Sequence, residues 1–369
     1  MKKITILLLS IALYNCQTTP EIKDASVTVV KQKYSRPEQP YQLNIPYRRL
    51  DTEKVVTKFG FGSCNDQNKP QPLWKKINDK QFDLFLMMGD NVYASSPADK
   101  PIIDQYIKLN SNKDYQDLRE KTPFLATWDD HDFGQNDGGF DNPEKLEAQK
   151  LFVNYWSYTK NNIPPTQNGI YNSQILGNKK QRVQFIMLDT RFDRSALIKN
   201  ENPDPASKIP RLYLPDTSEK SHIFSSEQWK WLEAELKKPA ELRFIISSIQ
   251  FIANDHAFEK WGNFPLEQQK MIQLLEKNKL KNVIFLSGDR HLSAIAKQKI
   301  KTGDLFDVTS SGLNRPSRAT EPEIDQLYNA PSYLKINFGQ AEIDWAKKHV
   351  VISIIGEDGS APLTQTIGF

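Results

Sequence analysis

The chain has 369 residues, enough for one large α/β domain or two smaller ones, and 38% hydrophobic with 25% charged residues is sufficient for a packed core. A formal net charge of +4 is mild, and without a long Lys/Arg run no dedicated nucleic-acid surface is advertised.

The amino terminus reads as an export signal. Met1-Lys2-Lys3 precedes an apolar stretch from Ile4 to Tyr14, and Cys16 follows directly. The stretch is too short for an ordinary spanning helix. Residues 1–16 therefore form a lipoprotein-type signal with Cys16 as the lipidation candidate, although Tyr14 before it departs from the small residues usual there. Cleavage by the ordinary signal peptidase is the alternative. Residues 17–50, polar and rich in proline, read as a tether and lead-in. A lipid anchor would hold the protein on a membrane, exported to the periplasm or cell surface, and a monomer is expected.

One α/β domain is expected over residues 51–369, because strands and helices alternate. Strands are predicted at Val55–Phe61, Phe82–Met88, Phe124–Trp128, a pair at Gly169–Leu176 and Arg182–Asp189, then Leu242–Ser248, Asn282–Ser287, Leu305–Ser310 and His349–Ile355. Helices are predicted at Leu73–Asn78, Pro97–Leu109, Asp114–Glu120, Glu144–Tyr158, Ser225–Lys238 and Pro265–Asn278. Ser225 and Gln228 are spaced for a capping box. Gly, Asn and Asp residues mark Asp132–Pro143 as a loop, and Ile198–His222 is an irregular excursion of the kind that covers sites.

Several strand-like runs end in polar islands. Val55–Phe61 leads to Gly62-Ser63-Cys64-Asn65, Phe82–Met88 to Gly89-Asp90-Asn91-Val92-Tyr93, and Asn282–Ser287 to Gly288-Asp289-Arg290-His291. Such edges are where α/β enzymes build sites. An ionised Asp90 at a buried edge is costly unless a cation neutralises it. Tyr93, three positions on, can return to the same cavity, and a phenolate suits ferric iron better than zinc. Asp289 and His291 can face one cavity if the backbone stays extended. Trp128-Asp129-Asp130-His131-Asp132 packs three carboxylates beside one imidazole, and like charges this close call for cations. His131 could serve as a general acid or donate to a phosphate oxygen. Asn136 and Asp137 can supply hard oxygen ligands. Arg191, after Leu188-Asp189-Thr190, can fork onto phosphate oxygens. The plainer readings are a buried hydrophobe-like Cys64, a solvated acidic turn and a surface ion pair for Arg191. His222, His256 and His349 lack comparable neighbours. The set is too rich in oxygen for a structural zinc site and points to a metal-dependent phosphoryl hydrolase.

Taken in order, these pieces resemble the PhoD-like phosphatase family, also called alkaline phosphatase D. The match covers roughly residues 55 to 312: the Gly-Ser-Cys strand end, Gly-Asp-x-x-Tyr, Trp-Asp-Asp-His, Leu-Asp-x-Arg, Glu-Gln-x-x-Trp-Leu and Gly-Asp-x-His. The resemblance implies a metallophosphoesterase-like αββα sandwich of two mixed β-sheets flanked by helices. It implies a phosphomonoesterase or phosphodiesterase using ferric iron (Fe3+) and calcium (Ca2+), other divalent ions being alternatives, on a phosphate ester substrate. It also implies iron ligands at Cys64, Asp90 and Tyr93, with His291 or Asp289 completing them and Asp90 bridging. Asp130 (or Asp129), Asn136 and Asp289 fall on the calcium side, and His131 and Arg191 on the phosphate. The region before residue 55 is short for the β-domain that often precedes this catalytic domain. A surface lipoprotein that binds a partner through a degenerate site is the competing reading.

Overall fold

The structure, a computed structural model, describes residues 45–96, 100–156, 158, 162–204 and 211–369. The expected signal, Cys16 and nearly all of the 17–50 tether lie outside the described residues. In chain order the elements are β1 (Lys58–Gly62), α1 (Trp74–Asp79), β2 (Leu84–Met88), α2 (Ile102–Asn110), α3 (Lys113–Lys121), β3 (Phe124–Thr127), α4 (Asp130–Phe133) and α5 (Lys145–Tyr155). There follow β4 (Asn172–Leu176), β5 (Val183–Met187), the two-residue strands β6 (Ile198–Lys199) and β7 (Tyr213–Leu214), α6 (Ser226–Leu236), β8 (Leu242–Ser247) and α7 (Pro265–Lys277). The chain closes with β9 (Val283–Ser287), β10 (Ser293–Ile300), β11 (Gly303–Ser310), β12 (Asn337–Asp344), β13 (His349–Gly356) and β14 (Leu363–Gly368).

The strands form two six-stranded mixed sheets, ordered β14-β13-β12-β1-β2-β3 and β10-β11-β9-β8-β5-β4. In the first, β1, β2 and β3 are parallel and β12, β13 and β14 antiparallel. In the second, β5, β8, β9 and β11 are parallel, with β4 and β10 antiparallel at the edges.

The period of two along a strand decides the layers. On β2, Leu84, Leu86 and Met88 face the inter-sheet core, and Phe85 and Met87 join the cluster under α1, α2, α3 and α5. On β9, Ile284 and Leu286 face inward, and Val283 and Phe285 meet α6 and α7. Both faces are covered, so these strands read as continuous apolar runs rather than alternating ones. The result is a helix–sheet–sheet–helix sandwich. Phe59 is central to its middle layer, with ring centroids 5.2 Å from Phe185 and 4.8 Å from Phe244 across the sheets.

Besides the two-residue strands β6 and β7, which lie in the excursion read as irregular, three long strands escape sequence prediction: β10, β12 and β14. Each mixes polar residues into its run, as in Leu363-Thr364-Gln365-Thr366-Ile367-Gly368, because part of its surface is open and pairing along the backbone holds it instead. The 132–143 loop also differs at its start. Residues 130–133 form a helical turn, with Asp129 accepting at its N-cap and Asp132 reaching back to the Asp129 amide at 2.7 Å. Ser225 caps α6 by accepting from the Gln228 amide, but the Gln228 side chain does not close a box. It bonds both backbone groups of Asp189 at 2.9 Å, and so pins the end of β5.

Candidate metal centre

The carboxyl ends of the parallel strands of both sheets meet at one edge. β1 delivers Cys64, β2 Asp90, β3 Asp129 and Asp130, β8 Ser248, and β9 Asp289. The sheets are tied there by a Ser63–Ser311 bridge, and the Thr127 hydroxyl donates to the Leu188 carbonyl at 2.8 Å. Glycine is required by this approach. A Cβ on Gly288 would lie 2.6 Å from Ser63 Oγ, and one on Gly89, whose φ is +102°, 2.6 Å from Asp129 Cβ.

Ligand-type atoms gather in three overlapping groups, each with its members within 4.8 Å of one another: Cys64, Asp90 and His291; Asp90, Asp130 and His131; Asp129, Asp130 and Asp289. Tyr93 belongs to the first. Its hydroxyl donates to Asp90 Oδ2 at 3.0 Å and lies 3.1 Å from His291 Nε2, while Cys64 Sγ is 3.4 Å from Asp90 Oδ2. Asp90 and Asp130 join the groups into one row. Neither Asp129 nor Asp130 is set aside by the geometry, which brings both to Asp289.

The backbone here is strained. Cys64, Asp90, Asp289 and His291 have φ of 60°, 50°, 66° and 57°. A non-glycine residue held in the left-handed region costs about 1–3 kcal/mol. Asp289 and His291 therefore do not share the cavity through extended alternation, as expected from sequence, but through successive left-handed turns.

Electrostatics point the same way. Burial, then the Cys64, Asp130, Asp129 and Asp132 charges, hold the Asp90 carboxyl well above its ordinary range, and burial beside Asp129 and Asp130 does the same to Asp289. Burial pushes Asp129 up to about 8 against its Arg191 partner, and Cys64 up to about 11. For Asp130 burial is outweighed by His131, Arg191 and the Asp137 amide, which keep its carboxyl low. Burial lowers His291 to about 3 and also depresses His131, so both imidazoles are neutral near pH 7. Neutral imidazoles and crowded carboxylates are ligands without their cation. Asp129 Oδ2 and Asp130 Oδ1 are buried with no hydrogen-bond partner, so the site fits metal ions. A thiol, a phenol, a carboxylate and an imidazole suit a transition metal, whereas the oxygen set of Asp129, Asp130 and Asp289 suits a hard cation.

Asp130, His131, Asp289 and His291 floor a cavity of about 620 Å³, lined also by Asn136, Asp137, Leu212, Phe258, Arg290, Arg315 and Arg318. Leu212 comes from the irregular excursion, which does reach the site. Asn136 is exposed on the wall, its amide donating to Asp137 Oδ2 at 2.9 Å. His131 stands beside Tyr93, ring centroids 4.1 Å apart, with Nδ1 on the Ser95 hydroxyl.

Arg191 is fully buried and is not among the residues lining the cavity: Nε donates to Asp129 Oδ1 at 2.5 Å and Nη1 to Glu259 Oε2 at 2.6 Å. Two carboxylates engage its Nε and Nη1, while Nη2 is buried without a hydrogen-bond partner; it orients Asp129, helped by the Ser248 hydroxyl at 2.6 Å. Among the arginines that line the cavity, Arg315, missed in the sequence, stands beside the ligand groups. It lies 4.0 Å from the Tyr93 ring centroid, is braced by Asp66 at 3.1 Å, and keeps a side chain 34% exposed. Its signal was available: β11 ends in Ser310-Ser311-Gly312, a polar strand end like the others. Asp132 and Asp189 are structural. Asp132 accepts from the amides of Asp129 and Asn91, and Asp189 from Trp128 Nε1 at 2.9 Å and the amides of Ile170, Arg191 and Phe192.

The family model of the PhoD-like phosphatases matches residues 59–321. The chain is 22% identical over 296 residues to alkaline phosphatase D of Bacillus subtilis (strain 168), covering 69% of this chain and 48% of that protein; it thus spans about half the length of that relative. Among solved structures, PhoD superposes with a TM-score of 0.64 at 17% identity, covering 86% of this chain and 69% of the other. A dimetal phosphatase from Danio rerio gives 0.51 at 12% identity, covering 86% and 100%. GAP50 of Plasmodium, described as the anchor in the inner membrane complex, gives 0.53 at 12%, covering 86% and 90%. At these identities the structures establish a shared fold, whereas the family model spans most of the sequence: the chain belongs to the PhoD-like phosphatase family.

Proposed function

We propose that the protein is a metal-dependent phosphoric ester hydrolase acting through an activated water. The observation that carries this is the row of ligand-type side chains, with unpartnered carboxylate oxygens, on the floor of an arginine-lined cavity. Cys64, Asp90, Tyr93 and His291 would hold one ion, with ferric iron the best match to their donors. Asp130, Asp289 and Asn136 or Asp129 would hold a harder one, calcium or a similar ion, with Asp90 between the two. When bound, such ions polarise phosphate oxygens and make water a competent nucleophile at neutral pH.

The chain's own residues do the rest. Arg315, stacked on Tyr93 and reaching the cavity, binds the phosphate and offsets its growing equatorial charge. Burial favours the neutral His131, and in the tautomer whose Nδ1 accepts from the Ser95 hydroxyl its Nε2–H would donate to the phosphate or the leaving oxygen. Arg191 acts at one remove by holding Asp129. Export on the 1–16 signal, lipidation at Cys16, a 17–50 tether and a monomeric catalytic domain over 51–369 complete the proposal. They rest on the basic and apolar leader and the cysteine behind it.

The test uses purified protein without its first 16 residues. A visible charge-transfer band, with calcium-dependent hydrolysis of nitrophenyl phosphate or bis-nitrophenyl phosphate, is expected, and the better substrate fixes monoester or diester preference. A colourless protein that turns over neither after reconstitution with iron and calcium would instead favour a binding lipoprotein.

A further inference from the structure

A second cavity, of about 360 Å³, lies away from the metal centre. Strand β3 separates them: its first residue, Phe124, lines this cavity, while Asp129 and Asp130 follow its other end. Arg48, Arg49, Arg119 and Gln174 also line it, and no carboxylate does among the described residues.

Arg119 is 2% exposed. Its guanidinium lies 4.7 Å from the Trp156 ring centroid and 5.3 Å from that of Phe124, and Nη1 donates to the Tyr115 hydroxyl at 3.1 Å. Its Nε is buried without an acceptor, and no carboxylate pairs with it among the described residues. Gln174, 8% exposed on β4, has its Nε2 buried without an acceptor as well. Arg48 and Arg49 are exposed and make no ion pair among the described residues. Aromatic faces offset part of the cost of burying a guanidinium, but they do not satisfy an N–H donor. Arg48, Arg49 and Arg119 line one space with no ion-pair partner among the described residues, and three guanidiniums so placed call for an oxyanion.

We propose that this cavity binds a phosphate group carried on a small organic molecule or a lipid headgroup. Several guanidiniums match the charge and the many acceptor oxygens of a phosphate. The aromatic side chains of Phe124 and Tyr158 give the remainder of the ligand an apolar wall. The volume is that of a small-ligand site. This site is independent of the metal centre and of the hydrolase reading.

The test is calorimetric titration of the mature chain with phenylphosphonate, whose carbon–phosphorus bond resists hydrolysis, alongside Arg48→Gln/Arg49→Gln. Both positions are exposed and outside the metal centre, so folding and metal content serve as controls. The expected result is a binding event in the wild type that weakens roughly ten-fold or more in the double variant, while metal content and kcat/KM on nitrophenyl phosphate stay within about two-fold. Absence of any binding event that depends on these arginines overturns the proposal. Competition then assigns the source. Displacement by inorganic phosphate, and not by phosphatidylglycerol vesicles, supports a small soluble phosphate carrier. Displacement by phosphatidylglycerol vesicles, and not by phosphatidylcholine vesicles or inorganic phosphate, supports a headgroup. Displacement by none of them assigns the site to soluble phosphates bearing a ring.

Discussion

The inter-sheet core and the edge where the same strands end are built by opposite rules. In the core, Phe59, Leu86, Phe185 and Phe244 are fully or almost fully buried in regular strands. A few residues further on, Cys64 and Asp90 are equally buried and Asp289 is half-buried, yet they carry polar or ionisable groups on left-handed backbone, with carboxylate oxygens unpartnered beside them. Burial stabilises the first region and strains the second. The rigid sandwich tolerates the strained edge, and that edge becomes favourable only once cations occupy it.

The sharpest break of this contrast is Asp90→Asn. It should lower kcat by roughly 10³-fold or more and reduce metal content, while the melting temperature of the chelated protein does not fall, because a carboxyl that burial and its neighbours already push toward the neutral form has been replaced by a neutral amide. Retained turnover with metal still bound would sink the assignment of Asp90. Phe59→Ala should do the converse. A cost of about 3–5 kcal/mol in urea unfolding is expected for a buried phenylalanine, with metal stoichiometry unchanged in the molecules that remain folded.

Arg315→Gln should act at the cavity without touching either region. Losing one charged hydrogen bond of about 1.5–3 kcal/mol lowers kcat/KM by roughly ten- to a hundred-fold, metal content staying constant. An equal loss from Arg191→Lys with metal intact, and none from Arg315→Gln, would return the phosphate role to Arg191.

The smallest effect concerns pH. The folded-state carboxyls of Asp132 and Asp129 are raised, to about 7 and about 8, chiefly by burial. Groups raised in this way contribute stability that is complete below the ordinary carboxylate range and lost as pH climbs through the folded values. The chelated protein should therefore melt at falling temperatures from pH 5 to pH 8. Metal should restore most at pH 8, because ligands no longer give up protons to bind it. A melting temperature that rises over this window without metal would contradict the account.

How much of this was legible in the sequence follows from the same contrast. The apolar runs of β1, β2, β3, β5, β8 and β9 were readable because strands covered on both faces have no alternative to being apolar. Their polar endings were readable for the converse reason, a carboxylate at a buried edge being costly. β10, β12 and β14 were not, since partial exposure lets them carry ordinary polar residues. Partnerships across the chain were also hidden. Arg191 with Glu259, Ser248 with Asp129, and Arg315 with Tyr93 and Asp66 depend on which strand ends meet, and spacing does not carry that. The left-handed turns at Asp289 and His291 were equally invisible, because aspartate and histidine have no need of them in isolation.

The most direct measurement is the elemental metal content of the purified chain, taken with its phosphatase activity before and after chelation. The account predicts at least two ions per chain, including a transition metal, with activity lost on chelation and restored when the ions return. A chain that hydrolyses phosphate esters equally well with no metal bound would contradict it.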